Sequence, residues 1–377
     1  MRDTISLNRM TTTIIFLLVL TLLVFIHELG HFLAARMFGI RVDEFAIGFP
    51  PRIASWMWGK TRYAINLLPL GGYVRIYGEN SEDARTPDNM LSKPKWQQVV
   101  VLAAGVTFNI ILAWLLLSLS LFIGAKASVD AMPAAIVQNP ALTVVMVAPG
   151  SPAEKAGLKS GDEILSITNS KTLLASSTLS VIGAQGVIAG AENNVQVTVK
   201  QFKPKTGEKE YEVKSLTVVP KDGIVAGKKA IGISMDMIAT VKAGFFESFY
   251  YGARQTYYLT KNVAIGLYTF LGTAIMGNAS LEQVSGPVGI AGAVGESAKT
   301  GFSSLLVIAA VISANLAVLN LAPFPALDGG RIVVVAIEAI IRRELNPKVI
   351  QWVNGIGFLL LIALMLVITA KDIWTLF

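Results

Sequence analysis

Hydrophobic positions along the chain follow two regimes. Four stretches are continuously apolar: Met10 to Ile26, running on through HELGH into Ala35; Val99 to Ile123; Ser303 to Leu327; and Val349 to Ala370. Each approaches or exceeds the roughly 20 residues a helix needs to cross the hydrocarbon core, so the pattern predicts four membrane spans. Arg2 and Arg9 precede the first run as in a secretory signal, but no small-residue cleavage site closes it and the HELGH interrupts it. It therefore reads as a retained span. Elsewhere the apolar period shortens to two. FAIGFPPRI and RYAINLLPLGGYVRI alternate as strands with Gly71 and Gly72 at a bend, which predicts a hairpin after the first span.

The 124–302 segment changes character. In LTVVMVAPGSPAEKAGLKSGDEILSITNSK an apolar strand leads to Ser151, Pro152 and Glu154, an S-x-x-E capping box with proline at the first helical position. Gly157 ends that short helix, and DEILSITN alternates as a strand. A helical pattern at about 173–189 follows, then NNVQVTVK and EKEYEVKSLTVVP as two further strands. These elements predict a small mixed α/β domain. Beyond it, VKAGFFESFYYGARQTYYLTKNVAIGLYTFLG mixes Tyr and Phe with Lys242, Arg254 and Lys261, the pattern of an amphipathic helix lying at a membrane interface. A fifth crossing is the alternative reading, but it spoils the charge bias of the loops.

Composition agrees with the pattern: 53% of residues are hydrophobic and 15% charged, too apolar for an ordinary soluble domain. Basic residues set the orientation. Residues 34–98 carry nine Lys or Arg and 328–348 carry four, against three in the first nine and last seven residues together. This bias puts those two loops in the cytoplasm and the termini and the 124–302 segment outside. The net charge of +7 then reports topology and anionic lipid contact, with no polybasic block to suggest nucleic acid. Absence of cysteine excludes disulfides, thiolate ligands and a cysteine nucleophile. No glycine-rich phosphate cradle or nucleotide fingerprint is present.

Chemistry concentrates in FIHELGHFL. On a helix His27 and His31 diverge by only about 40°, so both imidazoles can reach one cation. Glu28 lies beside that cation in the H-E-x-x-H arrangement of zinc peptidases, where the glutamate serves as general base. Three polar residues satisfied by their neighbours are the bland alternative, but ionisable groups at membrane depth are costly and usually functional. His27 and His31 are the only histidines and there is no cysteine, so a third protein ligand must be a carboxylate. Spans one and three run in the same direction, which lets Asp328, expected at the end of span three in NLAPFPALDGGR, meet the HELGH at one depth. Pro323 and Pro325 break the helix just before it. Irregular backbone at that depth needs protein or a water-filled cavity around it.

SPAEKAGLKSGDEILSITN resembles a PDZ domain over roughly 128–222; a spacer that binds nothing is the alternative. HELGH in the first span, NLAPFPALDG in the third, one PDZ-like insert between spans two and three, and SGPVGIA at 285–291 together resemble the site-2 protease family of intramembrane zinc metalloproteases. The bacterial regulator of sigma-E protease branch, in a single-PDZ form, is the nearest pattern. The resemblance covers nearly the whole chain.

It implies an α-helical polytopic membrane protein with four transmembrane helices, an inserted α/β PDZ domain and a membrane re-entrant β-hairpin. Residues 1–124 would hold helices one and two with the hairpin, and 125–225 the extracytoplasmic PDZ. Residues 226–302 would form an interfacial helix and linker, and 303–377 helices three and four. His27, His31 and Asp328 would bind one catalytic zinc, Glu28 would be the base, and Asn320, with Asn315 as a weaker candidate, would hold substrate or oxyanion. Gly105 and Asn109 match a G-x-x-x-N pattern of the second span, equally readable as helix packing. The implied activity is cleavage of transmembrane segments of single-span proteins, of the anti-sigma-factor or remnant-signal-peptide kind. It would take place in the bacterial inner membrane with the active site near the cytoplasmic side, an extended peptide or C-terminus in the PDZ groove, and no nucleic acid. The best-studied proteobacterial members carry two tandem PDZ domains; this chain has room for one, which leaves its specificity filter and substrates open. A membrane-anchored PDZ scaffold with a structural or vestigial zinc site is the alternative from another class.

Overall fold

The structure, a computed structural model, describes residues 2–79, 85–129, 132–175, 178–204, 209–225, 228–277 and 284–374. The chain divides into two compact units, Met1–Phe122 with Gly244–Phe377, and Ile123–Ala243. The first unit contains α1 (Arg2–Met37), β1 (Val42–Trp58), β2 (Thr61–Ile76) and α2 (Lys95–Ile123). The second contributes β3 (Ala125–Ser128), β4 (Val137–Val147), α3 (Pro152–Lys155), β5 (Glu163–Thr168), β6 (Leu173–Ala175), α4 (Val181–Ala189), β7 (Val195–Pro204), β8 (Lys209–Val218), β9 (Lys221–Val225), β10 (Lys228–Ala230) and β11 (Ile233–Val241). The chain then returns to the first unit through α5 (Phe245–Ile275), α6 (Pro287–Thr300), α7 (Phe302–Leu321), α8 (Asp328–Ile341) and α9 (Pro347–Trp374).

Among the described residues four helices are long and apolar enough to cross a membrane: Met10–Met37 of α1, and α2, α7 and α9. Their burial differs in a way that orders them. Within its most apolar window α2 is 44% buried, whereas α1 and α9 are 11% buried. Helices that stay apolar on their outward side suit lipid there; of these four, α2 is the most buried and α1 and α9 the most exposed. Small residues allow the close contacts: Ala113, Ala310 and Ala314 form a buried cluster with Leu117, joined by Leu259 of α5.

Span three is shorter than its apolar run. α7 stops at Leu321, and Asp328 opens a separate helix instead of ending that span. Neither Pro323 nor Pro325 can donate a helical hydrogen bond, so the backbone leaves the helix across 322–327. The SGPVGIA motif starts α6, whose first turn is capped by Asp372 of α9. The Gly286 and Gly289 N–H groups donate to its Oδ2 at 2.9 and 2.8 Å.

α5 is an amphipathic helix. It runs antiparallel along α2: Phe245 meets Phe122, Trp114 Nε1 donates to Phe249 O at 2.9 Å, and Leu259 packs with Ala113. Gly252 makes this possible, because a Cβ there would lie 2.9 Å from the Ser118 backbone nitrogen.

β1 and β2 fold back on each other more than a simple hairpin does. Glu44 to Ile47 pair on one side with Arg75 to Gly72 and on the other with Arg62 to Ile65, while Arg52 to Trp58 pair with Asn66 to Thr61. Four short segments therefore lie side by side, in the order 52–58, 61–66, 42–47, 72–76, and 72–76 forms one edge. Buried polar groups lock the register, with Thr61 Oγ1 donating to Val42 O and Asn66 Nδ2 to Gly48 O.

In the inserted unit the sheet order is β3-β11-β4-β5-β7-β8, with β6 beside β5. The predicted alternation is visible in β7, where Val195, Val197 and Val199 are fully buried, each contributing roughly 1.5–3 kcal/mol of burial. Two expectations change. The helical pattern at 173–189 is helix only from Val181, because Ser180 caps it by accepting from the Gly183 N–H, and Leu173–Ala175 pair with β5 instead. Residues 233–241, assigned from sequence to a linker, add β11 between β3 and β4. The Ser151 cap forms, with its Oγ accepting from the Glu154 N–H, but the Glu154 carboxylate takes the Gly150 N–H instead of that of Ser151.

Candidate metal centre

α1 carries His27 and His31 one turn apart, and both are buried. Their Nε2 atoms lie 3.2 Å from each other. Asp328 Oδ2, on the first residue of α8, lies 3.2 Å from His27 Nε2 and 3.3 Å from His31 Nε2. The three atoms form a nearly equilateral triangle. Tetrahedral zinc with bonds of about 2.0–2.1 Å separates its ligands by about 3.3 Å, so this triangle has the dimensions of one face of a zinc tetrahedron. Asp328 Oδ2 is also buried with no hydrogen-bond partner among the described residues. A buried anionic oxygen facing two ring nitrogens without a hydrogen bond calls for a cation between them. The residues therefore fit zinc, with three protein donors.

Each imidazole is backed by a group on α2. Val101 O lies 2.8 Å from His31 Nδ1. A carbonyl can only accept, so Nδ1 carries the proton and Nε2 presents its lone pair to the triangle. The Asn109 amide lies 3.1 Å from His27 Nδ1. Between them sits Gly105, where a Cβ would fall 2.7 Å from His27 Cε1 and still closer to His31 Nε2. A matching close approach occurs on α1, where a Cβ on Gly30 would lie 2.5 Å from Ala104 O. The two glycines let the helices meet closely enough for the imidazoles to lie against the α2 backbone.

Asp328 is placed by the broken segment before it. Ala326 adopts φ +71°, an uncommon conformation for a residue with a Cβ, and its N–H donates to Asn354 Oδ1 of α9 at 3.2 Å. Gly357, one turn further along α9, packs on Pro325; a Cβ there would be 2.6 Å from the proline ring. Gly329 and Gly330 lie tight against the carbonyls of Leu321, Ala322 and Phe324. Arg331 then ties α8 to the segment after β2, pairing with the Glu79 carboxylate and donating to Glu79 O at 2.9 Å.

Glu28 is within electrostatic reach of His31, His27 and Asp328, and its Oε2 accepts the Val74 N–H at 3.0 Å. Val74 belongs to the 72–76 edge, so this sheet edge lies directly beside the carboxylate. Asn320 is half-buried on the last turn of α7, and its amide has no hydrogen-bond partner among the described residues. Asn315 is turned back on its own helix, its Nδ2 donating to Val311 O at 2.8 Å. Sequence reasoning missed Val101, Val74, Asn354 and Gly357. The first two act through backbone groups and leave no side-chain signature; Asn354 and Gly357 were legible only as a polar residue and a gap in an apolar span.

Comparison with known proteins agrees with this geometry. The profile of peptidase family M50 matches residues 15–364. A Clostridium perfringens protein, named provisionally as a zinc metalloprotease, is 36% identical over 95% of this chain and 97% of its own length. The regulator of sigma-W protease RasP of Bacillus subtilis is 31% identical over 97% of this chain and 99% of its own length. The zinc metalloprotease RasP of Bacillus licheniformis is 29% identical over 98% and 100%. A histidine pair and an aspartate at zinc-ligand spacing, a glutamate beside them, and a family profile running from the first span into the last lead to one conclusion: the chain belongs to peptidase family M50 and is a zinc metalloprotease.

Proposed function

We propose that the protein is an intramembrane endopeptidase of the bacterial inner membrane that cuts the transmembrane segments of single-span proteins, such as anti-sigma factors or remnant signal peptides. The observation that carries this is the 3.2–3.3 Å triangle of His27, His31 and Asp328 held among apolar helices. In this reading those three residues hold the zinc, which when bound acidifies water and polarises a carbonyl. Glu28 takes the proton from the attacking water and delivers it to the leaving amine. Asn320, whose amide makes no hydrogen bond among the described residues, donates to the developing oxyanion; the self-bonded amide of Asn315 makes it the weaker choice.

A helical substrate hides its peptide bonds in its own hydrogen bonds and must be unwound before hydrolysis. The 72–76 edge is suited to hold it extended by strand addition. A re-entrant placement of the hairpin is supported by Thr21 of α1, midway along the first span, whose Oγ1 donates to Pro69 O at 2.9 Å. The outer 52–58 segment, with Ile53 63% and Trp58 74% exposed, supports it too. The inserted unit, read as a PDZ, offers a groove for an extended peptide or C-terminus. The test is cleavage of a single-span reporter by the purified protein in liposomes, with the cut mapped by mass spectrometry. A cut inside the span, modulated by a competing C-terminal peptide, is expected. Cuts confined to the extramembrane part would reject intramembrane proteolysis, and indifference to the peptide would reject the groove.

Orientation follows from the basic loops: the 34–98 and 328–348 loops cytoplasmic, the inserted unit and both termini outside. In this cysteine-free chain, Lys60→Cys is expected to resist a membrane-impermeant thiol reagent in intact cells and Lys200→Cys to react. The opposite pattern would invert the topology.

A further inference from the structure

Asn109 has an unresolved polar end. It is fully buried, its Nδ2 lies 3.1 Å from His27 Nδ1, and its Oδ1 has no partner among the described residues. The two ends of a carboxamide are nearly the same size and exchange by a half-turn of the side chain. With Nδ2 toward the ring, Nδ1 must accept and the ring proton sits on Nε2, the atom 3.2 Å from Asp328 Oδ2. That tautomer cannot bind a metal through Nε2. With Oδ1 toward the ring, Nδ1 donates and the Nε2 lone pair is free.

We infer that Asn109 is a positioning residue for His27: in the zinc-loaded protein its amide oxygen accepts the Nδ1 proton and so directs Nε2 to the metal. The inference rests on the ligand set proposed above. His31 has no such freedom, because Val101 O can only accept. Val101, Gly105 and Asn109 stand at four-residue intervals, so one stripe of α2 supplies a carbonyl for one histidine, clearance for both, and an amide for the other. The stripe is anchored where it matters: Ser313 Oγ of α7 donates to Asn109 O at 2.8 Å. Packing alone does not explain a buried amide aimed at a ring nitrogen, since a leucine would fill the same space without desolvating a carboxamide.

The experiment measures zinc affinity of the full-length protein by chelator competition, for wild type, His27→Ala, Asn109→Ala and Asn109→Asp. Groups that orient a metal-binding histidine typically change metal affinity by about 10–100-fold when lost. Asn109→Ala is expected to weaken zinc by that factor while the unfolding temperature of the metal-free protein stays unchanged. Asn109→Asp, which also accepts from Nδ1–H, is expected to restore affinity to near wild type. Wild-type zinc affinity in Asn109→Ala overturns the inference. So does a metal-free protein destabilised as much as the loaded one, since that marks a packing role. If Asn109→Asp does not fold, the Asn109→Ala comparison alone decides. His27→Ala separates the two layers: zinc retained there rejects the ligand assignment itself, whereas zinc lost there but kept in Asn109→Ala rejects only the role of Asn109.

Discussion

Replacing Glu28 by Gln is expected to lower kcat/KM on a single-span reporter by at least about 10³-fold, within the range that general acid–base groups contribute, with bound zinc unchanged. Glutamine has the same shape and can still accept the Val74 N–H through its amide oxygen, so the sheet edge beside it stays in place. What is lost is the carboxylate beside the triangle that is not one of the three proposed ligands. The atoms proposed to hold zinc are on His27, His31 and Asp328, none of which hydrogen-bonds to Glu28 among the described residues, so the metal site should survive. Single-turnover cleavage with matched zinc content checks this. A variant retaining more than about a tenth of wild-type activity would show that proton transfer is handled elsewhere.

Asp328→Ala is expected to remove zinc altogether, from about one equivalent per chain to a trace after dialysis, and with it all peptidase activity. Two imidazoles four residues apart do not make a catalytic zinc site by themselves; three protein donors are the norm. The one metal-ligating cluster found among the described residues is this one, and the neighbouring Glu28 carboxylate is engaged by the Val74 N–H. The substitution should leave the local backbone intact. Gly329 and Gly330 keep their contacts with the 321–324 carbonyls, and Asn354 still holds Ala326. The metal-free protein should therefore unfold at the wild-type temperature, while the zinc-dependent gain disappears; that gain is about 2.7 kcal/mol for a ligand at a hundredfold its dissociation constant. Elemental analysis and melting with and without zinc provide the readout. Stoichiometric zinc in the Asp328→Ala protein would place the third ligand elsewhere.

Both predictions involve residues that were identifiable before any coordinates. The four spans were legible because a bilayer demands one feature, sustained apolarity, that linear sequence displays directly. The histidine pair was legible because helical spacing fixes its geometry locally. Asp328 could be singled out because the chain has no third histidine and no cysteine. Errors came where tertiary partners compete with local pattern. Residues 173–175 had a helical pattern but found a strand partner in β5, and residues 233–241 carried no recognised signal yet completed the sheet. α5 was correctly amphipathic, but only Gly252 and Trp114 show that its face is fitted to α2.

By itself the sequence determined the number of long apolar helices and the chemical identity of the groups gathered at the candidate metal centre, because these depend on composition and on spacing within a single helix. Only the tertiary structure decided how those groups are held. The Val101 carbonyl that sets the proton on His31, the Val74 N–H that meets Glu28, and the Asn354 and Gly357 seat beneath the broken helix all come from segments 28 to 70 residues distant, two of them through the main chain, which every residue shares. Hydrogen bonds from backbone atoms and close approaches permitted by glycine carry direction but no side-chain signature, so they become visible only once the helices are packed.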